Sequence, residues 1–325
     1  MNKYIVVEPG GDITKLMLSD LEKEADVTIL YQPNLFKPGI LRSIWSHHIG
    51  YTLNKKKSVP LQRIWWSQYT LNSLKFKRED EYYIIFGNAV LNDLDDGFLR
   101  HLTKMPNVHL ILYFSDPVDS EFAKLAKVRA QRNKFEYIFT FDPKDSETYG
   151  YIQTRFLYSI SSVEPDHDAK SDICFIGENK GRLNIAEAIY RECDNRGIKC
   201  NFRITRVPEE HRKLSGIAYN SRISYLKTVS QAKAANCLLE ILQKGQSGVT
   251  FRYYEAICYN KKLLTNNKEV YSLPYYDSRY IRVFDDVESI DFDWIREPID
   301  IEYGYRGDFS PKKFLQQIKQ LVEEK

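Results

Sequence analysis

The chain has 325 residues, which at roughly 150 residues per domain predicts two domains, each large enough to fold without disulfide or metal staples. Hydrophobic residues at 43% and charged residues at 28% exclude a disordered chain, and a net charge of +3 excludes a whole-chain nucleic-acid binder. No apolar run approaches the roughly 20 residues of a bilayer span, the start lacks a secretory layout, and the five scattered cysteines form no CxxC pair; a reduced, cytoplasmic protein is expected.

Along the chain, apolar runs alternate with amphipathic segments. Residues 4–7 predict a strand, 13–24 a helix with Leu16, Met17, Leu18 and Leu21 at helical spacing, and 27–31 a second strand. A helix is expected over 40–51, then a polar, Lys-rich stretch. Strands follow at 82–86, 108–114 and 137–141, with a helix over 121–132 before the last. The polar segment 161–171 (SSVEPDHDAKS) predicts a linker. Beyond it the cycle restarts, with strands at 173–176, 200–205 and 262–265, helices at 184–195 and 253–259, and an apolar run at 236–242. Gly307-Asp308 predicts a turn and Pro311 opens a closing helix over 311–323. Strands separated by helix-length segments predict an α/β fold class: mainly parallel sheets, helices on both faces, and two separately wound halves.

Two motifs carry chemistry. In Phe175-Ile176-Gly177-Glu178-Asn179-Lys180-Gly181-Arg182-Leu183 a strand ends in Gly and a short polar loop enters a helix. That layout aims backbone N–H groups and a helix dipole at one point, which suits a phosphate. Lys180 and Arg182 add charge-assisted donors. The other reading is a plain strand-to-helix turn with solvated basic residues, since neither GxGxxG nor GK[ST] is present. The second motif is Gly245-Gln246-Ser247-Gly248-Val249-Thr250-Phe251-Arg252-Tyr253-Tyr254-Glu255-Ala256, followed by KKLLTNN. A Gly-rich loop can approach a ligand closely. Arg252 and Glu255, three positions apart, share a helix face and could bind a diphosphate and ribose hydroxyls, or simply pair with each other.

These two segments, the two-domain layout and the closing helix resemble the GT-B-fold glycosyltransferases, most of all the bacterial enzymes of capsule, lipopolysaccharide and exopolysaccharide synthesis. The stretch Phe139-Thr140-Phe141-Asp142-Pro143-Lys144-Asp145, with Tyr149 after it, is similar to the last strand and turn of that group's first domain. The resemblance implies two Rossmann-like domains with a cleft between them: an acceptor domain over 1–165, a nucleotide-sugar domain over 172–306, and a helix over 307–325 crossing back to the first. It implies a donor site of Gly177, Lys180, Arg182, Gly248, Thr250, Arg252 and Glu255, with the cations at the diphosphate and Glu255 at the ribose. No cofactor and no metal are implied, because basic side chains take the metal's role. The chain departs from the E-x7-E pattern of many members: eight positions before Glu255 stands Ser247.

A base that activates an acceptor hydroxyl must be a carboxylate or imidazole within hydrogen-bond reach. The candidates are Asp12, after the first strand, Asp116, after the strand ending at Phe114, and His47, beside His48 on the helix after Pro38. A turn aspartate or a structural histidine is the plainer reading of each.

Residues 27–78 contain no Asp or Glu, nine Lys or Arg including Lys55, Lys56 and Lys57, and three of the four tryptophans, Trp45, Trp65 and Trp66. Acid-free, basic and Trp-rich composition predicts a surface for anionic headgroups or a lipid-linked glycan; the alternative is a solvated basic face over core tryptophans. The expected function is transfer of a sugar from a nucleoside diphosphate, UDP, to a growing bacterial surface glycan at the inner face of the plasma membrane, with no nucleic-acid partner. A nucleotide-sugar epimerase of similar layout and a non-catalytic partner subunit are the alternatives.

Overall fold

The computed structural model describes residues 1–33, 36–243 and 248–324. The chain divides into two compact units, Met1–Ser159 with Phe309–Lys325, and Ile160–Asp308. Each carries a six-stranded sheet whose neighbouring strands all run parallel.

In unit 1 the strands are β1 Asn2–Pro9, β2 Val27–Gln32, β3 Glu81–Gly87, β4 Val108–Phe114, β5 Tyr137–Thr140 and β6 Ile152–Gln153, in the order β2-β1-β3-β4-β5-β6. Successive strand residues face opposite sides, and both sides are covered, so the central strands read as unbroken apolar runs. Ile5, Val7, Ile84, Phe86, Leu110 and Leu112 pack with Trp45, Ile49, Phe98 and Leu99 in one layer. Tyr4, Val6, Tyr83, Ile85, Ile111 and Tyr113 pack in the other with Leu18, Leu21, Phe314, Leu315 and Ile318. The last three belong to the closing helix Pro311–Glu323, so the chain's end completes the core of its beginning. Ser310 caps that helix, Pro311 occupies its first turn, and the Ser310 hydroxyl also donates to Asp20 Oδ2 at 2.5 Å. Lys312 and Lys319 pair with Glu24 and Asp26, each at 2.7 Å.

In unit 2 the strands are β7 Ser171–Glu178, β8 Cys200–Thr205, β9 Ala218–Tyr219, β10 Ala235–Glu240, β11 Lys262–Thr265 and β12 Ile281–Val283, ordered β12-β11-β10-β7-β8-β9. Ile173, Phe175, Phe202, Ile204, Cys237 and Leu239 form one core layer with Ala186, Ile189, Trp294 and Ile295.

The segment expected as a free linker is bound to unit 2. Lys233 Nζ donates to the carbonyls of Ser161 and Val163 at 2.9 and 2.7 Å, and the Ser230 hydroxyl to that of Glu164 at 2.6 Å. Of its own polar side chains, Asp166 pairs with Lys227 at 2.7 Å and accepts from Gln231 Nε2 at 3.2 Å, so part of its polar composition serves contacts with unit 2 rather than solvent. The helix expected over 121–132 starts at Lys124, and β5 is followed by the short edge strand β6, so the 139–145 segment is not the last strand of its sheet.

Docking of the closing helix is testable. Phe314 is 5% exposed and its ring lies 5.2 Å from Tyr113 and 5.0 Å from Phe139. Phe314→Ala should lower stability by about 3–5 kcal/mol in urea unfolding, whereas exposed Lys313→Ala should stay within about 0.5 kcal/mol. Equal, small effects would mean that the helix is not part of the core.

Candidate functional site

In an open parallel sheet, a ligand crevice forms at the carboxyl ends of two adjacent strands whose connections leave in opposite directions. In unit 2 those strands are β7 and β10. A cavity of about 150 Å³ lies there, lined by Phe175 and Ile176 of β7, Glu240 of β10, and Arg182, Thr250 and Arg252. Complete ligand pockets span roughly 300–1,000 Å³, so this volume suits one charged end of a larger ligand.

Arg182 holds the two strand ends together. It donates from Nη1 to the Ile241 carbonyl at 2.6 Å, and from Nε and Nη2 to the Glu178 carbonyl at 3.2 and 2.8 Å, while stacking over Phe175. A Cβ at Gly177 would stand 3.0 Å from Arg182 Nη2, so this glycine makes room for the guanidinium. Burial, and then the charge of Arg252, lower the proton affinity of Arg182. Two like charges therefore face one cavity, and an anion between them would relieve both.

Thr250 caps the helix Phe251–Cys258, its Oγ1 accepting from the Arg252 N–H at 3.2 Å. The positive end of that helix thus borders the cavity. The Thr250 N–H and hydroxyl both donate to Glu240 Oε1, at 3.1 and 2.6 Å, and the Thr265 hydroxyl donates to Oε2 at 2.5 Å. Arg252 pairs with Glu255 and donates from Nη2 to the Ile176 carbonyl at 3.3 Å. Burial raises the pKa of both Glu240 and Glu255, and Arg252 opposes the rise in each.

Glu255 does not stand where the ribose role requires. Its side chain has no exposed surface, Arg252 takes one oxygen and the Tyr225 hydroxyl donates to the other at 2.9 Å. The residue holds Arg252 in place. Glu240, absent from the sequence expectations, does line the cavity; a glutamate inside the apolar run 236–242 was the legible sign of a buried carboxylate. Lys180 is half exposed, in a left-handed conformation, 3.8 Å from Glu178 Oε2, and Gly177, Lys180 and Gly248 stand outside the lining. Gly248 has φ +85° and donates its N–H to Glu269 Oε2 at 2.8 Å. Gly245, Gln246 and Ser247 lie outside the described residues.

In unit 1 the equivalent crevice lies at the carboxyl ends of β1 and β3. Half-buried Asp116, on the loop after β4, accepts from Asn88 Nδ2 at 3.0 Å, and Asn88 Oδ1 accepts from the Ser115 N–H and hydroxyl at 2.8 and 2.9 Å. The carboxyl beside this group is Glu8 of β1, which the sequence expectations passed over. A Cβ at Gly87 would occupy the space of the Glu8 carboxylate. Burial first, then Asp116, push the Glu8 pKa up to about 8. Asp12 is exposed at the start of helix Asp12–Leu18, and His47 is exposed on helix Ile40–Ile49. Its neighbour His48 is held between the Trp65 N–H at 2.9 Å and the Pro60 carbonyl at 3.0 Å.

No protein-family model and no curated protein matches the chain. Solved structures do. An α-glucosyltransferase in complex with UDP and a 13-mer DNA containing an HMU base aligns over 100% of both chains at 13% identity, TM-score 0.57. A protein assigned as a UDP-N-acetylglucosamine 2-epimerase from Listeria monocytogenes aligns over 100% of this chain and 98% of its own, at 9% identity and TM-score 0.58. The glycotransferase of kitacinnamycin aligns over 98% of both chains at 8% identity, TM-score 0.51.

The chain has the GT-B fold.

Within this GT-B chain the tryptophans do not form the interface expected of them. Trp45 and Trp65 are 6% and 7% exposed and flank Phe36 in the unit 1 core, and half-buried Trp66 donates to Asp95 Oδ2 at 2.9 Å. Trp45 and Ile49, four residues apart, share the inward face of their helix. Lys55, Lys56 and Lys57 are exposed. Asp95 caps helix Asp96–Leu102 and Asp291 caps helix Phe292–Arg296, so Asp93-Leu94-Asp95 and Asp291-Phe292-Asp293, which have the DxD spacing of a metal motif, each supply a helix cap. Among the described residues no helix is long and apolar enough to cross a membrane, and no three His, Cys, Asp or Glu side chains converge as a metal site.

The Thr250–Glu240 contact has a measurable consequence. Thr250→Val removes a helix cap and strips Glu240 of its shortest Oε1 partner. Urea unfolding should show a loss of about 2 kcal/mol; a loss below about 0.5 kcal/mol would mean that Thr250 neither caps nor anchors.

Proposed function

We propose that the protein is a glycosyltransferase that takes a sugar from UDP and passes it to a hydroxyl of a growing bacterial surface glycan. The observation that carries this reading is the pair of guanidiniums, Arg182 and Arg252, set against one cavity at the unit 2 crevice beside a helix N-terminus. That arrangement suits a diphosphate in the ground state, and more so as its bond to the sugar breaks and negative charge grows. Lys180 is near enough in the chain to join them when a ligand binds. In this reading the cations take the part of a metal, and neither cofactor nor metal is required. The α-glucosyltransferase of the same fold is described with UDP, which supports the choice of nucleotide.

The epimerase of the same fold makes a donor-only enzyme the second reading. An acceptor site in unit 1 separates the two. A cavity of about 410 Å³ there is lined by Trp45, Tyr51 and Phe122 together with Asp93, Asn92 and Glu121. The Tyr51 and Phe122 rings, exposed where Trp45 is buried, suit the C–H faces of a sugar, and the carboxylates and amide suit its hydroxyls. Burial raises the Asp93 pKa to about 6, with Arg129 and Arg42 opposing.

The glycan would be lipid-linked and the enzyme peripheral on the inner face of the plasma membrane. With the indoles buried, this rests on other side chains of the acid-free stretch. Ile40, Leu41 and Ile44 are exposed on the outer side of their helix, with Leu61 and Ile64 exposed beyond it, in a segment that also exposes Lys55, Lys56 and Lys57. Aliphatic side chains with flanking lysines suit an anionic bilayer surface.

Two measurements test these statements. Calorimetry should give Arg252→Ala at least a tenfold weaker affinity for UDP than wild type, with Glu255→Ala similarly affected through loss of the Arg252 anchor; unchanged affinity in both would remove the donor site. Replacing Lys55, Lys56 and Lys57 together by Ser should weaken pelleting with phosphatidylglycerol-containing vesicles at low salt by tenfold or more. If pelleting does not change, the stretch is a solvated face.

A further inference from the structure

We propose that Glu8 is the general base of the transfer, its carboxylate taking the proton of the attacking hydroxyl at the carboxyl end of β1, beside Gly87 and Asp116. The proposal rests on the glycosyl-transfer reading and adds to it the residue that activates the acceptor.

Placement comes first. Glu8 is at the unit 1 crevice, where the sheet order reverses. The third neighbour in that region, Gly87, has no side chain, and a Cβ there would displace the carboxylate. Among the described residues no hydrogen bond or ion pair engages the Glu8 carboxylate, in a region where Asp116, Asn88 and Ser115 are bonded to one another. A half-buried carboxylate without a partner keeps its lone pairs for a ligand.

The electrostatic surroundings fit the task. From the loop after β4, Asp116 adds a like charge, fixed by Asn88. From β2, the Tyr31 phenol is raised by burial and by the charges of Glu22 and Glu8, and its hydroxyl has no partner among the described residues. Lys15 lies over the Tyr31 ring at 5.8 Å. Desolvation and a like charge both raise the basicity of the Glu8 carboxylate, which accepts a proton once it ionises toward pH 8. Asp12 and His47 are exposed and lack such surroundings, and Asp116 already holds Asn88; it acts as a positioning residue, through Glu8.

In the step, the acceptor oxygen forms a bond to the anomeric carbon as the bond from that carbon to the diphosphate oxygen breaks. Its electron pair leaves with the diphosphate, and the hydroxyl proton passes to Glu8 and then to water. One displacement of this kind inverts the anomeric configuration.

The pH dependence has a definite sign. Between the ordinary glutamate value of 4.5 and about 8, the folded chain keeps a proton that the unfolded chain has lost. Stability linked to Glu8 is therefore lost as pH rises through that window. Glu8→Gln, of the same shape, should gain Tm over wild type from pH 5 to pH 9.

The test uses the full chain. Carbon-13 NMR titration of the Glu8 carboxyl should give a midpoint near 8 in wild type and a lower one in Asp116→Asn. With UDP-glucose and UDP-N-acetylglucosamine as probes, Glu8→Gln should reduce kcat for sugar release at least a hundredfold and leave UDP affinity unchanged. Gly87→Ala should do the same by displacing Glu8, and Asp116→Asn should move the rate profile to lower pH. An ordinary Glu8 midpoint, wild-type turnover in Glu8→Gln, or a first-formed sugar of retained configuration would overturn the assignment of Glu8 while UDP binding stands. A wild type that neither binds UDP nor releases either sugar overturns the donor reading and the base role with it.

Discussion

Arg252 and Glu255 form the pair on which the ligand end of unit 2 depends. Glu255 is fully buried, and a carboxylate there is tolerable only because a guanidinium and a tyrosine hydroxyl satisfy it. Removing one partner of a buried pair leaves a charge without compensation, at a cost of about 3–5 kcal/mol. The same guanidinium reaches the Ile176 carbonyl at the end of β7 and acts electrostatically on Glu240 at the end of β10. A single side chain thus ties the helix Phe251–Cys258 to the end of β7 and acts on the end of β10.

The same topological device occurs in both units with different chemistry at its mouth. In unit 2 the reversal between β7 and β10 gathers cations, buried carboxylates and a helix N-terminus. In unit 1 the reversal between β1 and β3 gathers carboxyl groups, a glycine and an asparagine. One crevice suits an anion; the other suits removal of a proton. That division follows from which side chains end the strands, since the backbone geometry of the two sheets is alike.

Much of the architecture was legible because buried parallel strands must be apolar on both faces. Residues 108–114, 200–205 and 262–265 form strands with the expected bounds, and the closing helix runs from Pro311 to Glu323. The edge strands β6, β9 and β12, of two or three residues, were not legible: too few side chains carry the pattern. Arg182, Thr250 and Arg252, singled out by their motifs, line the unit 2 cavity. Glu240, inside its apolar run, was legible as a buried carboxylate and not as part of a site, while Glu8, a lone acidic residue at the end of an apolar run, has no periodic signature; the meaning of both comes from strands distant in sequence.

The sequence by itself determined the alternation of strand and helix, the parallel two-sheet class and the helix start at Thr250 that carries Arg252, because each is set by local spacing of apolar, polar and capping residues. Only the tertiary structure decided which way the indoles of Trp45 and Trp65 face, that Glu255 serves Arg252 instead of an open site, and that Glu8 meets Gly87 and Asp116. Those outcomes depend on contacts across strands far apart in the chain, where burial and neighbouring charge, rather than residue type, set what a side chain can do.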